Sequence, residues 1–266
     1  MRNLDTLVYR SPLGYRFIDP ALDLPVTDGL VVTARPLVGG PTIKAQQNGE
    51  GIYLFGRLPG VPADGVWPAD SPAAPPLEFL IEVQDRLSRF LPVATVVSLP
   101  AAESLKEFFL FSAPTRREST GLGVIRGQLW DQSADQPAAY GVLEAEDQDG
   151  ETWYGVADDR GCVALLFPYP VFGTSQTGSP PGSTTVLMGQ GWSYTLTAWY
   201  QPQSVTYPTG SSRPELKTVL AQAACSIVTA TDPSVTTAPS LTLSVQFGQP
   251  FVLRTDGGPA LRLSPP

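Results

Sequence analysis

"FIDPALDLPVTDGLVVTARP", residues 17 to 36, returns in altered form as "QLWDQSADQPAAYGVLEAED", residues 128 to 147. Asp19, Asp23, Pro25 and Gly29 in the first stretch become Asp131, Asp135, Pro137 and Gly141 in the second, each 112 residues later. Each copy reads as a strand, a polar turn and a second strand. The Asp ends the first strand and accepts backbone N–H groups in the turn. Pro limits the connection, and Gly permits unusual backbone where the next strand begins. A repeat at this scale predicts two modules of one fold rather than a repeated active site.

Working outward, the chain is organised as an N-terminal arm at 1 to 12, a first β-module at 13 to 115 and a second at 121 to 212. A tail follows at 213 to 266 that either docks on another chain or completes the second module. The polar stretch "APTRRESTG" at 113 to 121 marks the boundary. Short alternating strands recur between turn signals. In "LEFLIEVQD", at 77 to 85, Phe79, Ile81 and Val83 share one face. In "GWSYTLTAWYQP", at 191 to 202, Trp192, Tyr194, Leu196 and Ala198 oppose Ser193, Thr195, Thr197 and Trp199. Turns are expected at Asn48–Gly51, Asp149-Gly150 and Arg160-Gly161. Two Pro-rich loops fall at 61 to 76 and 171 to 184. The tail carries the strongest helical pattern, "RPELKTVLAQAACSIVTA", in which Leu216, Val219, Leu220 and Ala223 form a stripe over a helix at 214 to 227. "EFFLFS" reads as the last strand of module one.

With 25 Gly and 28 Pro among 266 residues, the chain suits many short strands and tight turns better than long helices. No strand-helix alternation supports a parallel doubly wound sheet. The expected class is all-β: two tandem antiparallel Ig-like or prealbumin-like sandwiches, a short C-terminal helix and terminal strands.

These segments resemble carboxypeptidase regulatory-like or Cna-B-like domains, which are prealbumin-like sandwiches. The resemblance rests on "GQLWDQSADQPAAYGVLEAE" and "GVADDRGCVALLF" in module two, and on "RFIDPALDLPVTDGLVVTA" and "NGEGIYLFGRL" in module one. It covers most of residues 13 to 200; the two Pro-rich excursions depart from the family's simplest pattern. The arrangement of modules and the tail "LSVQFGQPFVLRT" are also similar to accessory structural proteins of phage-like contractile injection systems. That resemblance implies a baseplate-associated component, present in several copies within a symmetric particle.

The chain contains no histidine, so a Ser-His-Asp or Cys-His arrangement is impossible, and no P-loop or dinucleotide fingerprint is present. Neither a catalytic residue nor a cofactor is expected. Two weaker readings concern the acidic segment Glu144, Glu146, Asp147, Asp149 and Glu151, followed by Asp158 and Asp159. One is a hydrolase using an acid pair, and the other is a calcium site at "DQDGE". The plain reading is a solvated hairpin. The net charge of −8, without a basic cluster, argues against nucleic acid. No stretch reaches the roughly 18 apolar residues of a membrane helix. Cys162 and Cys225 sit in apolar-leaning runs and are expected as reduced thiols, with a bridge as the alternative. The N-terminal residues lack a signal-like apolar run, which predicts a cytoplasmic protein assembled into a larger particle, with export without a cleaved signal as the alternative.

The candidate interface lies in the aromatics of module two: Trp153, Tyr154, Trp192, Trp199 and Tyr200. They are read as core, as a protein interface or as a carbohydrate platform. The expected function is non-catalytic: an assembly protein whose partners are other structural proteins and copies of itself. The alternative is a carbohydrate-binding or adhesin-like module.

Overall fold

A computed structural model describes residues 11–62, 76–101, 103–119, 121–170, 190–231 and 234–266. The N-terminal arm up to residue 10 and nearly all of both Pro-rich loops lie outside the described residues.

Module one contains β1 (Leu13–Asp19), β2 (Leu24–Pro25), β3 (Leu30–Pro36), β4 (Ile43–Lys44), β5 (Gln46–Gln47), β6 (Tyr53–Phe55), β7 (Leu77–Asp85), β8 (Val93–Leu99) and β9 (Leu105–Phe109). One sheet runs β5-β6-β1-β9, with β2 folded against the end of β1; the other runs β4-β3-β7-β8. Alternation places Leu13, Tyr15 and Phe17 of β1 opposite Phe79, Ile81 and Val83 of β7, and these side chains build the first core.

Module two contains β10 (Leu122–Asp131), β11 (Gln136–Pro137), β12 (Val142–Glu146), β13 (Thr152–Val156), β14 (Cys162–Pro168), β15 (Gly191–Trp199), the helix α1 (Leu216–Leu220), β16 (Ala224–Ala230), β17 (Thr236–Ala238), β18 (Ser240–Gln246), β19 (Phe251–Leu253) and β20 (Leu261–Ser264). The tail strands pair within this module. β18 lies along β15, β19 and β20 lie along β10, and β16 joins β15 to β20.

The architecture is all-β with a short C-terminal helix, and it corrects three expectations. The sheets are not wholly antiparallel, because β1·β9, β10·β19 and β10·β20 are parallel pairs. In module two the layers of the Ig-like architecture are hydrogen-bonded into one continuous, curled sheet rather than two separate ones. The reason is that β10 changes partner from β19 to β20 along its length, and β16 bridges the layers. The helix covers Leu216–Leu220 only. Beyond it, Cys225, Ile227 and Val228 are buried in a strand fixed by pairing on both sides, which overrides a modest helical preference.

The duplicated block folds twice into the same turn. Ile18 pairs with Pro25 and Asp19 with Leu24; Trp130 pairs with Pro137 and Asp131 with Gln136. Val26 N–H donates to Phe17 O at 2.8 Å, as Ala138 N–H does to Leu129 O at 2.9 Å. Asp23 and Asp135 both adopt left-handed backbone, at φ 51° and 50°. The copies diverge in how the first Asp is satisfied. Asp131 accepts from the N–H groups of Ser133 and Ala134 and from the Ser133 hydroxyl. Asp19 accepts from Ala21 N–H and forms a buried ion pair with Arg116, whose guanidinium also bonds Ser112 and lies 4.9 Å from the centre of the Phe90 ring.

Among the described residues, three sets of contacts join the modules. The excursion between β15 and β16 inserts Leu216 and Val219 into the first core, beside Val142 and Val156 of module two. Its Glu215 carboxylate accepts from Val96 N–H at 3.0 Å and from the Thr95 hydroxyl at 3.3 Å, which covers the outer edge of β8. Ala21 of the first turn packs with Leu122, Val124, Ala164 and Leu166. Arg126 of β10 donates to the carbonyls of Pro114 and Arg116, which ties the connecting segment down.

Removing Arg116 leaves Asp19 charged, buried and short of a partner, so Arg116→Ala should cost about 3 to 5 kcal/mol in urea unfolding. The exposed neighbour should barely matter, with Arg117→Ala within about 0.5 kcal/mol. Acid should also destabilise the fold. Burial alone would raise the Asp131 carboxyl. Hydrogen bonds from Ser133, from the Ala134 and Ser133 backbone and from Tyr200 outweigh that and hold it below its ordinary value. Asp85 is held down in the same way, burial being outweighed by bonds from the Arg89 side chain and from the Leu87 and Arg89 N–H groups. A depressed carboxylate contributes stability above its unfolded pKa of about 3.9 and loses it as pH falls through the folded value. Urea midpoints should therefore hold from neutrality to about pH 5 and fall below about pH 4, less steeply in Asp131→Asn.

Candidate functional site

β12 and β13 form a hairpin in which Glu144 faces Tyr154 and Val142 faces Val156. β15 lies on the other side of β12, with Thr197 opposite Glu144 and Trp199 opposite Val142. Directly opposed residues share a face. The row Val156-Val142-Trp199 is covered by Leu216 and Val219. In the next row, Tyr154 and Glu144 border an open space between the modules.

That space is a cleft of about 1200 Å³. Module two contributes Val142, Glu144, Glu151, Thr152, Trp153, Tyr154 and Trp199. Module one contributes the first turn, from Pro20 to Asp23, and Glu107, Phe108 and Phe109 of β9. Leu216 and Leu220 come from α1. Phe109, Leu220, Leu22 and Tyr154 expose 52%, 48%, 45% and 45% of their surface, which gathers exposed apolar side chains at one place. Asp23, Glu107, Glu144 and Glu151 line it, and no Lys or Arg does among the described residues. Glu107 pairs with Arg16 at 3.2 Å. The Tyr154 hydroxyl bonds Glu144, and this bond, followed by partial burial, raises the Tyr154 pKa.

The aromatics singled out in the sequence separate into three groups. Trp153, Tyr154 and Trp199 come together in the cleft. Trp153 also leans into the second core, 5.7 Å from Phe167 and 6.3 Å from Tyr194 between ring centres. Trp192 stands elsewhere, 5.0 Å from Tyr169 and 6.4 Å from Phe247. Tyr200 is a core residue, 1% exposed, and offers no surface to a partner. Burial, then the neighbouring Asp131, pushes its pKa up to about 12.

Phe109, Leu22 and Leu220 were missed because module one and the tail were read separately from the aromatic strand. The signal was present in Phe108-Phe109. Adjacent strand residues face opposite ways, so two large rings in succession put one on each face of the sheet.

The acidic hairpin is occupied by its own turns. The Asp147 carboxylate accepts from Asp149 N–H at 2.9 Å and Glu151 N–H at 3.0 Å. That of Asp158 accepts from Arg160 N–H at 2.9 Å and Cys162 N–H at 2.8 Å. Among the described residues no group of three or more His, Cys, Asp or Glu side chains is placed to hold a metal. Cys162 and Cys225 are both free thiols, and burial raises the Cys225 pKa to about 12. No described helix is long and apolar enough to cross a membrane.

No family model matches the chain, and no curated protein matches it. Solved structures do. The Bacillus anthracis TIE protein aligns at 9% identity and a TM-score of 0.26, over 94% of this chain and 33% of that one. The chain thus spans about a third of the length of that protein. The shaft pilin SpaA of Lactobacillus rhamnosus GG aligns at 10% identity and a TM-score of 0.24, over 96% of each chain. The minor pilin GBS52 of Streptococcus agalactiae aligns at 9% identity and a TM-score of 0.26, again over 96% of each. Scores this low carry no argument about ligand or assembly. The cytoplasmic location expected from the sequence is corrected at this point. The residues near Met1 do not fix a compartment, so that location is not retained.

The Glu144 bond has a measurable consequence. Tyr154 should ionise above the ordinary tyrosine value of about 10, and Glu144→Gln should move it back toward that value in an ultraviolet phenolate titration.

Proposed function

We propose that this chain is a non-catalytic binding and assembly module, adhesin-like in role, that holds another macromolecule in the cleft between its two β-modules. The observation that carries the reading is the cleft itself, where exposed aromatic and aliphatic side chains from both modules converge. Rings offer a large contact area at low cost in conformational entropy, which suits the centre of an interface. The hydrolase reading has no observation in its favour, since Glu144 is bonded to Tyr154 and Asp147 and Asp158 are turn caps.

Of the two non-catalytic readings of the sequence, the binding module is favoured on the lining of the cleft. A place in the baseplate of a contractile injection particle rests only on the arrangement of the modules and the tail. Association with copies of itself and with other structural proteins belongs to the same proposal, with the cleft as the contact surface.

Site-specific photo-crosslinking in the native cell tests this. A photoreactive amino acid at Phe109 or Tyr154 should give discrete adducts. The same group at Val38, which is 94% exposed and absent from the cleft lining, should not. Equal labelling at all three positions, or none at any, contradicts the proposal.

A further inference from the structure

We infer that the occupant of the cleft is an extended polypeptide segment of a partner protein, carrying alternating basic and apolar residues, which adds as a strand to the open edge of β9. The inference rests on the reading of the cleft as a binding seat.

Three observations select this occupant. The first is backbone. β9 pairs with β1 alone among the described residues, through the parallel register Gly14–Leu105 to Ile18–Phe109. Its other edge offers N–H and C=O groups to a further strand, the usual basis of strand addition. The outer edge of β8, in the facing sheet, is instead covered by Glu215. The second is pattern. Exposed and part-buried residues alternate along β9, with Leu105, Glu107 and Phe109 outward. Side chains of an added strand would repeat with the same period of two. The third is charge. Four carboxylates line the cleft, of which Glu107 is paired with Arg16, and no basic side chain lines it among the described residues; the lining is net acidic, so a basic segment is complementary and an acidic one is repelled.

A glycan is less well matched. The Tyr154 hydroxyl is held by Glu144, and Trp153 packs into the second core, which leaves few flat rings and open hydrogen-bonding groups for a sugar face.

The test uses the full chain and three capped peptides in a fluorescence anisotropy titration at about 50 mM salt, where surface charge is only partly screened. The first peptide is RVKVRVT. The second has the same sequence with N-methylated valines, which keeps every side chain and charge but removes strand hydrogen-bond donors. The third, EVEVEVT, reverses the charge. RVKVRVT should bind saturably. Its N-methylated form should bind at least about tenfold more weakly, since several backbone hydrogen bonds are lost together. EVEVEVT should not bind. Phe109→Ala and Glu107→Lys, both at exposed positions, should each weaken RVKVRVT while leaving the circular dichroism spectrum unchanged.

Equal binding of the N-methylated peptide would mean charge attraction alone and would overturn the inference. So would binding of no peptide, or a glycan recovered as the adduct, while crosslinks still form at Phe109; the cleft would then remain a seat with a different occupant. Absence of both peptide binding and cleft crosslinks would remove the underlying reading as well.

Discussion

The insertion of Leu216 and Val219 into the core of module one is the contact on which the arrangement of this protein depends. Both side chains come from the excursion that separates β15 from β16 of module two, and both lie among β-module one residues, with Val142 and Val156 beside them. Two sandwiches joined only by a polar segment would move independently by default. Here the boundary is crossed by apolar packing, by Glu215 on the edge of β8 and by Arg126 on the connecting carbonyls. The cleft is a by-product of that packing. The excursion fills one part of the space between the modules and leaves the part flanked by β9, β13 and the first turn.

The duplicated block shows how one local solution serves two surroundings. Both copies hold their strands in the same register and both place an Asp in left-handed backbone. In module two the buried Asp131 is satisfied locally, by its own turn and by Tyr200. In module one the equivalent carboxylate pairs with Arg116, in the segment that leads to module two. The same motif thus bonds only within its own module in one copy and anchors the intermodule connection in the other.

Much of this was legible in the sequence because it is local. Period-two alternation located β7 and β15, and the turns expected at Asn48–Gly51 and Arg160-Gly161 formed, with φ of 78° and 75° at the two glycines. Equal spacing was less informative about backbone. Gly29 is left-handed at φ 75°, whereas its counterpart Gly141 is not and Tyr140 takes that conformation at φ 59°. The over-long helix failed for a non-local reason: partners supplied by β15 and β20 turn Ala224–Ala230 into a strand. Half of the cleft was hidden for a related reason. Trp153, Tyr154 and Trp199 stand out in one module, but Phe109, Leu22 and Leu220 gain meaning only when the modules are brought together. A polar boundary at 113 to 121 also concealed Arg116, because its burial depends on Asp19, nearly a hundred residues earlier.

The central claim is that module two and its excursion contribute to the core of module one, and that this shared packing holds the cleft in shape. Native-state hydrogen exchange along a urea series tests it most directly, by following Ile81 in β7 and Leu196 in β15. The account predicts that both amides lose protection together at one urea concentration, and that Leu216→Asp separates them. Independent loss of protection in the unaltered chain, with β7 opening while β15 stays closed, would contradict it.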